Sequence, residues 1–392
     1  MILHSVRLAL ECVTTFLAVA GMGYFLAAWW AVRAFAREQQ AELPHFAPGV
    51  SVLKSLKGLD PGMMEAFRSH CRQHYAGDFQ LLFGVASMDD PAVEAVSQLQ
   101  REFPAIDIQL HLCPERLGTN GKISTLVQLA PHAKHDFLLI NDSDITVTPR
   151  YFQRILACFA DADQGRQTGL VTALYRGRAH GTLGSRLEAL GIATDFQAGV
   201  LLSRKLEGGL SYGLGSTLAV RRAALEAMGG LSELVDQLAD DYELGARVFK
   251  AGYAVQLSPE VVETGVPAYA WQGFVDHQLR WSRTVRDARP GGYFGLIFTH
   301  GLAWAMVSAF ICGFSFRSLM VLALSLTLRI LMAWTVGVKV LQDDQLPGAL
   351  WLLPLRDLVQ LGIWAAGFAG DTIVWRGERF HLRKGRLYKK PE

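Results

Sequence analysis

The chain has 392 residues, is 51% hydrophobic and carries a formal net charge of +2. So high an apolar share argues against a wholly soluble protein, and so small a charge argues against a nucleic-acid partner. Five scattered cysteines (Cys12, Cys71, Cys113, Cys158, Cys312) without a C-x-x-C spacing exclude a zinc or disulfide framework and fit a reducing compartment.

From the N-terminus, 12–32 is an uncharged run of 21 residues, long enough to cross a bilayer. It ends in Trp29-Trp30, suited to an interface, and then Arg33 and Arg37, which place the next segment in the cytoplasm. The run is longer than a signal-peptide core and has no small-residue cleavage site, so 1–33 reads as an uncleaved anchor. After a polar linker, a globular pattern occupies 48–290. Strands are predicted at 50–53, 80–85, 106–112 and 137–140, and helices at 61–74, 91–102 and 122–129. Strands at 170–174 and 217–220 and helices at 222–228 and 239–250 follow. This alternation predicts an α/β domain with a mostly parallel sheet covered on both faces. The stretch 189–212 mixes apolar residues with Arg204 and Lys205, as either an interfacial or a core element would.

In 291–375 the composition turns apolar again, with segments at 293–316, 318–338 and 346–369, each long enough to span. The remaining 376–392 holds seven Lys or Arg residues and reads as a basic cytoplasmic tail. Three crossings would leave that tail on the wrong side. The segment 346–369, with its Arg356-Asp357 pair, is therefore expected to be re-entrant or interfacial.

Four polar clusters carry chemistry. Asp142-Ser143-Asp144 closes the apolar run 137–140, at the carboxyl end of a strand where open α/β sheets bind ligands. If the strand continued, both carboxylates would face one cation, and hard oxygen ligands suit Mg²⁺ or Mn²⁺. Asp89-Asp90-Pro91 could hold a nucleotide or simply cap a helix. Asp240-Asp241-Tyr242 opens a helix whose dipole favours ionised carboxylates. His277, Arg280 and Trp281 precede the membrane region, where Arg280 could bind a diphosphate and Trp281 could pack beneath a sugar or lipid.

Taken together, Asp90, Asp142-Ser143-Asp144, Asp241 and His277-x-x-Arg280-Trp281 resemble the D, DxD, D, (Q/R)xxRW signature of membrane glycosyltransferases of family 2 and their ceramide glucosyltransferase relatives. Stretches 174–178, 238–242, 277–286 and 292–295 look closest to a bacterial hopanoid-biosynthesis branch. Ser55, where these enzymes usually have Pro, and His277, in place of Gln or Arg, are departures.

The resemblance implies a GT-A-type nucleotide-sugar-binding domain with N- and C-terminal transmembrane helices in a bacterial inner membrane. It implies that Asp90 holds the uridine, Asp142 faces nucleotide and metal, and Asp144 ligates Mg²⁺ or Mn²⁺. Asp241 is then the general base, with Asp240 as cap or support, while Arg280 and Trp281 complete the site. Lys122, in the loop 118–122, would contact the nucleotide, and His277 would lie near the donor phosphate. The expected activity is inverting transfer of N-acetylglucosamine from a UDP-sugar donor to a hopanoid polyol. Ceramide glucosylation or another glycolipid synthesis is the alternative, and a lipid transporter or flippase, suggested by charges at membrane depth, is the rival from another class.

Overall fold

The computed structural model describes residues 2–160, 162–163, 165–375, 378–383 and 385–389. Its first element is a single helix of 37 residues, α1 (Ile2–Glu38), which runs five residues past the C-terminal end of the expected anchor. The domain behind it grows from β1 (Val50–Leu56), which pairs in parallel with β2 (Phe79–Val85) on one side and β4 (Phe137–Ile140) on the other. Beyond β2, β3 (Asp107–Leu112) adds a further parallel strand. Val50, Val52, Leu53, Leu82, Phe83, Leu138 and Leu139 are all fully buried, as continuous apolar runs require when helices cover both faces. The covering helices are α2 (Met63–Cys71), α3 (Ala92–Glu102) and α4 (Gly121–Leu129). Each starts within two residues of its expected position.

Past β4 the sheet changes sense. The chain runs through α5 (Tyr151–Ala157), the short β5 (Ala162–Asp163), β6 (Arg166–Ala179), α6 (Leu183–Gly191) and α7 (Gln197–Glu207). It continues as β7 (Leu218–Arg221), α8 (Arg222–Ala227), α9 (Asp240–Lys250) and β8 (Ala254–Val266). The strand order is β3-β2-β1-β4-β7-β6-β5, with β8 on β6. β7 is antiparallel to both β4 and β6, whereas β8 is parallel to β6. Sequence reasoning missed β8 because Pro259, Glu260 and Glu263 interrupt its apolar pattern.

The third region begins with α10 (Trp271–Ala288) and α11 (Pro290–Gly295), followed by α12 (Gly301–Ile311), α13 (Phe316–Ala333) and α14 (Leu353–Gly367). Among the described residues, two helices are long and apolar enough to cross a membrane, Ser5–Glu38 and Phe316–Val340. The expected continuous segment at 293–316 is instead two helical pieces meeting at a 55° bend. α12 packs closely on α1, since a Cβ on Gly21 would lie 2.1 Å from the Gly301 Cα. Two glycines facing each other let the backbones touch.

The segment at 346–369 is also broken, by two single-turn 3₁₀ pieces before the 15 residues of α14. Both of its ends are held by the globular domain and its interfacial helix. Arg176 donates to the Leu341 and Gln342 carbonyls at 2.9 and 2.8 Å, while Arg283 donates to the Ala369 carbonyl at 2.8 Å. These bonds tie the chain on either side of the segment to β6 and α10.

One buried charge cluster joins the domain to the membrane helices. Arg329 of α13, 1% exposed, forms a two-pronged pair with Asp357 of α14 at 2.9 Å for each bond. It also pairs with Asp195, in a π-helical turn (Ile192–Phe196) between α6 and α7, and Arg356 approaches Asp195 at 3.4 Å. The charges that suggested a transporter are therefore paired with one another across three elements.

The tail is not a loose basic extension. β9 (Thr372–Trp375), β10 (Glu378–Arg383) and β11 (Arg386–Lys389) form an antiparallel meander. Ile373, Phe380, Leu382 and Leu387 bury a small core of their own with Leu238. Alternation of these apolar residues with the charges overrode the bulk basicity. The meander pairs with the loop before α9 through Leu238 N to Gly385 O at 3.1 Å and Leu387 N to Asp236 O at 3.0 Å.

Removing one partner of a buried charge group strands the others. Arg329→Met is expected to cost about 3–5 kcal/mol, read as a lowered unfolding temperature in detergent. Arg101→Ala, at an exposed pair with Glu94, should cost only about 0–1 kcal/mol.

Candidate active site

The site forms where β1, β2 and β4 end and the loops behind them converge. Asp142 and Asp144 lie not on a strand but in a turn just past β4, so the same-face argument for an extended strand fails. Each is held separately. Asp144 accepts from the Thr264 hydroxyl at 2.6 Å and the Gly265 amide at 2.9 Å, both on β8. Asp142 gives one oxygen to the Lys122 ammonium at 2.6 Å and keeps its side chain 46% exposed. Ser143 donates to Asp60.

Lys122 follows Asn120, whose side chain caps α4 by accepting from the Ile123 amide. The Asn120 amide group also donates to the Gln237 carbonyl at 2.9 Å and to Asp240 at 3.3 Å. Lys122 reaches Asp240 as well, at 3.5 Å, so one ammonium bridges the turn after β4 and the start of α9. Burial works against its charge, but Asp142 and then Asp240 outweigh it and hold the ammonium above its usual range. The expected helix-cap or supporting role of Asp240 thus takes the form of pairing with Lys122 and Asn120.

Asp241 is the next residue. Its carboxylate accepts from the Tyr242 amide at 2.8 Å, and a Cβ on Gly215 would come within 2.9 Å of its other oxygen. Only glycine leaves that oxygen uncrowded. Burial, and after it the charge of Asp240, pushes Asp241 up to about 6. Asp144 is likewise raised, by burial and then by Asp142. A buried carboxylate raised by a neighbouring carboxylate, as Asp144 is by Asp142, is an oxygen donor that a hard cation relieves. Among the described residues no three His, Cys, Asp or Glu side chains converge on one point, so a cation here would need diphosphate and water oxygens as well.

Lys54 on β1 was missed by sequence reasoning. It is 1% exposed, donates to the Asp142 carbonyl at 2.9 Å, and is pushed down to about 7 by burial against the pull of Asp144 and Asp142. A single lysine in an apolar strand gives no sign that it points inward at an acidic turn.

Asp90 takes both of its alternative readings at once. It accepts from the Ala92 amide at 2.9 Å, as a helix cap does, and both its oxygens accept from the Gly58 amide at 3.0 Å. It therefore ties the loop after β1 to the loop after β2.

On α10, His277 Nδ1 lies 2.9 Å from buried Glu188, which also accepts from Gln278 at 3.2 Å. The His277 ring stacks on Tyr269 and meets Trp281, which in turn packs on Phe196. Tyr269 lies within electrostatic reach of Glu188, Arg280 and Asp144. Tyr175 feels Asp241, Glu188 and Asp142 in the same way. The structure thus brings Lys122, Asp142, Asp144, Asp240 and Asp241 into one cluster, while His277 and Trp281 pack together on α10. Asp90 sits apart, at the loop after β1.

Parallel strands that end in this acidic turn, beside a helix opening with a buried carboxylate, define a glycosyltransferase with a GT-A-like fold. The chain belongs to glycosyl transferase family 21, whose profile matches residues 13–388. It is similar to ceramide glucosyltransferase 3 of Caenorhabditis elegans, at 24% identity over 88% of this chain and 75% of that protein. Ceramide glucosyltransferase 1 of the same organism is 24% identical over 86% and 72%. Among solved structures, a mannosyltransferase from Pyrobaculum calidifontis in complex with GDP-Man and Mn²⁺ superposes with a TM-score of 0.52. It is 17% identical and covers 92% of this chain and 97% of its own, a likeness of fold.

If Asp241 is the base, transfer should weaken as the pH falls through about 6, because only its ionised form accepts a proton. Asp241→Asn should slow transfer by about 10²–10⁴-fold and abolish that limb of the pH–rate profile while UDP binding survives. Asp240→Asn should lose much less, and the larger loss at Asp240 would reverse the assignment.

Proposed function

We propose that the protein transfers a sugar from a UDP-sugar to the hydroxyl of a membrane lipid, inverting the anomeric centre by single displacement. The observation that carries this reading is the bridge made by Lys122, which links Asp142 and Asp240 and so sets the donor's acidic turn beside the base helix. The two C. elegans relatives, and ceramide glucosyltransferases of Komagataella phaffii and Candida albicans among the shorter matches, favour a ceramide-type acceptor over a hopanoid polyol.

In this mechanism Asp90 and the Gly58 loop flank the nucleoside, and Lys122 and Arg280 meet the diphosphate. A divalent ion held by Asp144 and Asp142, Mg²⁺ or Mn²⁺, would neutralise charge on the leaving diphosphate when bound. Asp241 accepts the proton of the attacking hydroxyl. Trp281, His277 and Phe196 present an apolar wall on the membrane side, excluding water from the anomeric carbon. On this reading the catalytic domain and the meander share the cytoplasmic face of a bacterial inner membrane, which Arg33 and Arg37 after the apolar run of α1 support.

The test is UDP release by protein reconstituted in ceramide-bearing vesicles, with the glycolipid identified by mass spectrometry. UDP-glucose and UDP-N-acetylglucosamine are offered as donors, and a hopanoid tetrol as rival acceptor. Asp144→Ala should lose the stimulation by Mg²⁺ or Mn²⁺. An Asp144→Ala protein with wild-type rates, and no effect of EDTA on either, would falsify the metal assignment. A wild-type protein that moves lipid but releases no UDP would be a transporter.

A further inference from the structure

Beside the base lies a layered group for which the mechanism above has no use. The rings of Tyr212 and Tyr242 stack with centroids 5.6 Å apart. The guanidinium of Arg289, at the end of α10, lies 5.6 Å over the Tyr212 ring and 5.9 Å from that of Tyr242. Its Nε donates to the Tyr242 hydroxyl at 3.1 Å, and its Nη1 pairs with Glu207, at the end of α7, at 3.2 Å. Tyr242 is the residue whose amide holds Asp241. The Arg289 and Glu207 side chains are 41% and 42% exposed, so this pair is an open, breakable contact between two elements, unlike the buried cluster around Arg329.

The two elements end at membrane level. Lys205, on α7, stands 5.1 Å over Trp30, the interfacial aromatic near the domain end of α1. Leu206, the next residue, is 74% exposed. On the other side, α11 starts directly after Arg289 and carries Phe294, 60% exposed. The 3₁₀ turn that follows it (Leu296–Thr299) reaches α1 at Gly21, where a Cβ would lie 3.3 Å from the Phe298 carbonyl. Along α1, Gly21 and Trp30 are separated by roughly 14 Å of rise. Leu206 and Phe294 thus flank the Glu207–Arg289 pair with bare apolar side chains on elements that touch the spanning helix.

The geometry points to a lipid portal here: the head of an uncharged, hydroxyl-bearing membrane lipid enters between α7 and α11, displaces the Glu207–Arg289 contact, and reaches Asp241 over the Tyr212–Tyr242 stack. Leu206 and Phe294 sit in the acyl boundary and guide it. The pair is neutral as a whole, so a hydroxyl or amide group can bond to its carboxylate and its guanidinium at once. A phospholipid head would bring an anion to Arg289 and leave Glu207 facing a like charge. This inference rests on the transfer reading above and adds the acceptor's route and head-group chemistry.

Two measurements test it. In vesicles of phosphatidylcholine with ceramide, lipid glycosylation is compared with hydrolysis of the UDP-sugar by water when ceramide is left out. For Arg289→Ala and Glu207→Ala the ratio of glycosylation to hydrolysis should fall about tenfold, the worth of a lost hydrogen bond to a charged group. Arg289→Lys should recover part of it, and Leu206→Asp should lower the ratio through the membrane contact alone. Equal falls in both reactions, or no fall in either, would overturn the portal. In the second measurement a photoreactive side chain replaces Leu206, and adducts with the vesicle lipid are sought by mass spectrometry. Lipid adducts are expected, and their absence overturns the portal whatever the acceptor proves to be. No UDP release by the wild-type protein, together with lipid adducts at the photoreactive position 206, would sink the transfer reading and leave the membrane contact standing.

Discussion

The site depends on holding Asp142, Asp144, Asp240 and Asp241 close together in a poorly hydrated place. Left alone, such a group would open or take up protons. Two lysines prevent this from opposite sides. Lys122 neutralises Asp142 and Asp240, and buried Lys54 reaches the backbone of the same turn from β1. Neither compensates fully. Asp144 and Asp241 remain raised, Asp144 by burial and then by Asp142, Asp241 by burial and then by Asp240.

A second constraint sets where this chemistry happens. The segment containing α6, the π-helical turn and α7 belongs by sequence to the catalytic domain, yet Asp195 within it is bound to Arg329 of a spanning helix. A buried charge group is a poor source of net stability but a strict specifier of register. Here it ties the π-helical turn that leads into α7 to α13 and α14.

Much of the fold was legible because its signals are local. The runs at 50–53, 80–85 and 137–140 are apolar on both faces, which only a covered parallel sheet explains, and their observed ends differ by a few residues at most. The acidic positions were legible as types at strand and helix ends. Their partners were not. Glu188 and His277 are 89 residues apart, and Lys122 meets Asp240 across a gap set by the sheet rather than by sequence. The antiparallel insertion of β7 and the length of β6 also escaped, since the sense of a strand leaves no periodic trace. The strands within the tail went unread because seven basic residues masked the alternation of Phe380, Leu382 and Leu387. Local motifs suggested a hopanoid branch, while the similar proteins are ceramide glucosyltransferases.

The terminal meander gives the protein an order of events. Asp236 and Leu238, whose neighbours Val235 and Gln237 grip Asn120, pair with Leu387 and Gly385, among the last described residues to leave the ribosome. Arg329 likewise waits for Asp357. The loop leading into α9 is thus braced from a region more than a hundred residues downstream, so its final shape requires the meander to be in place.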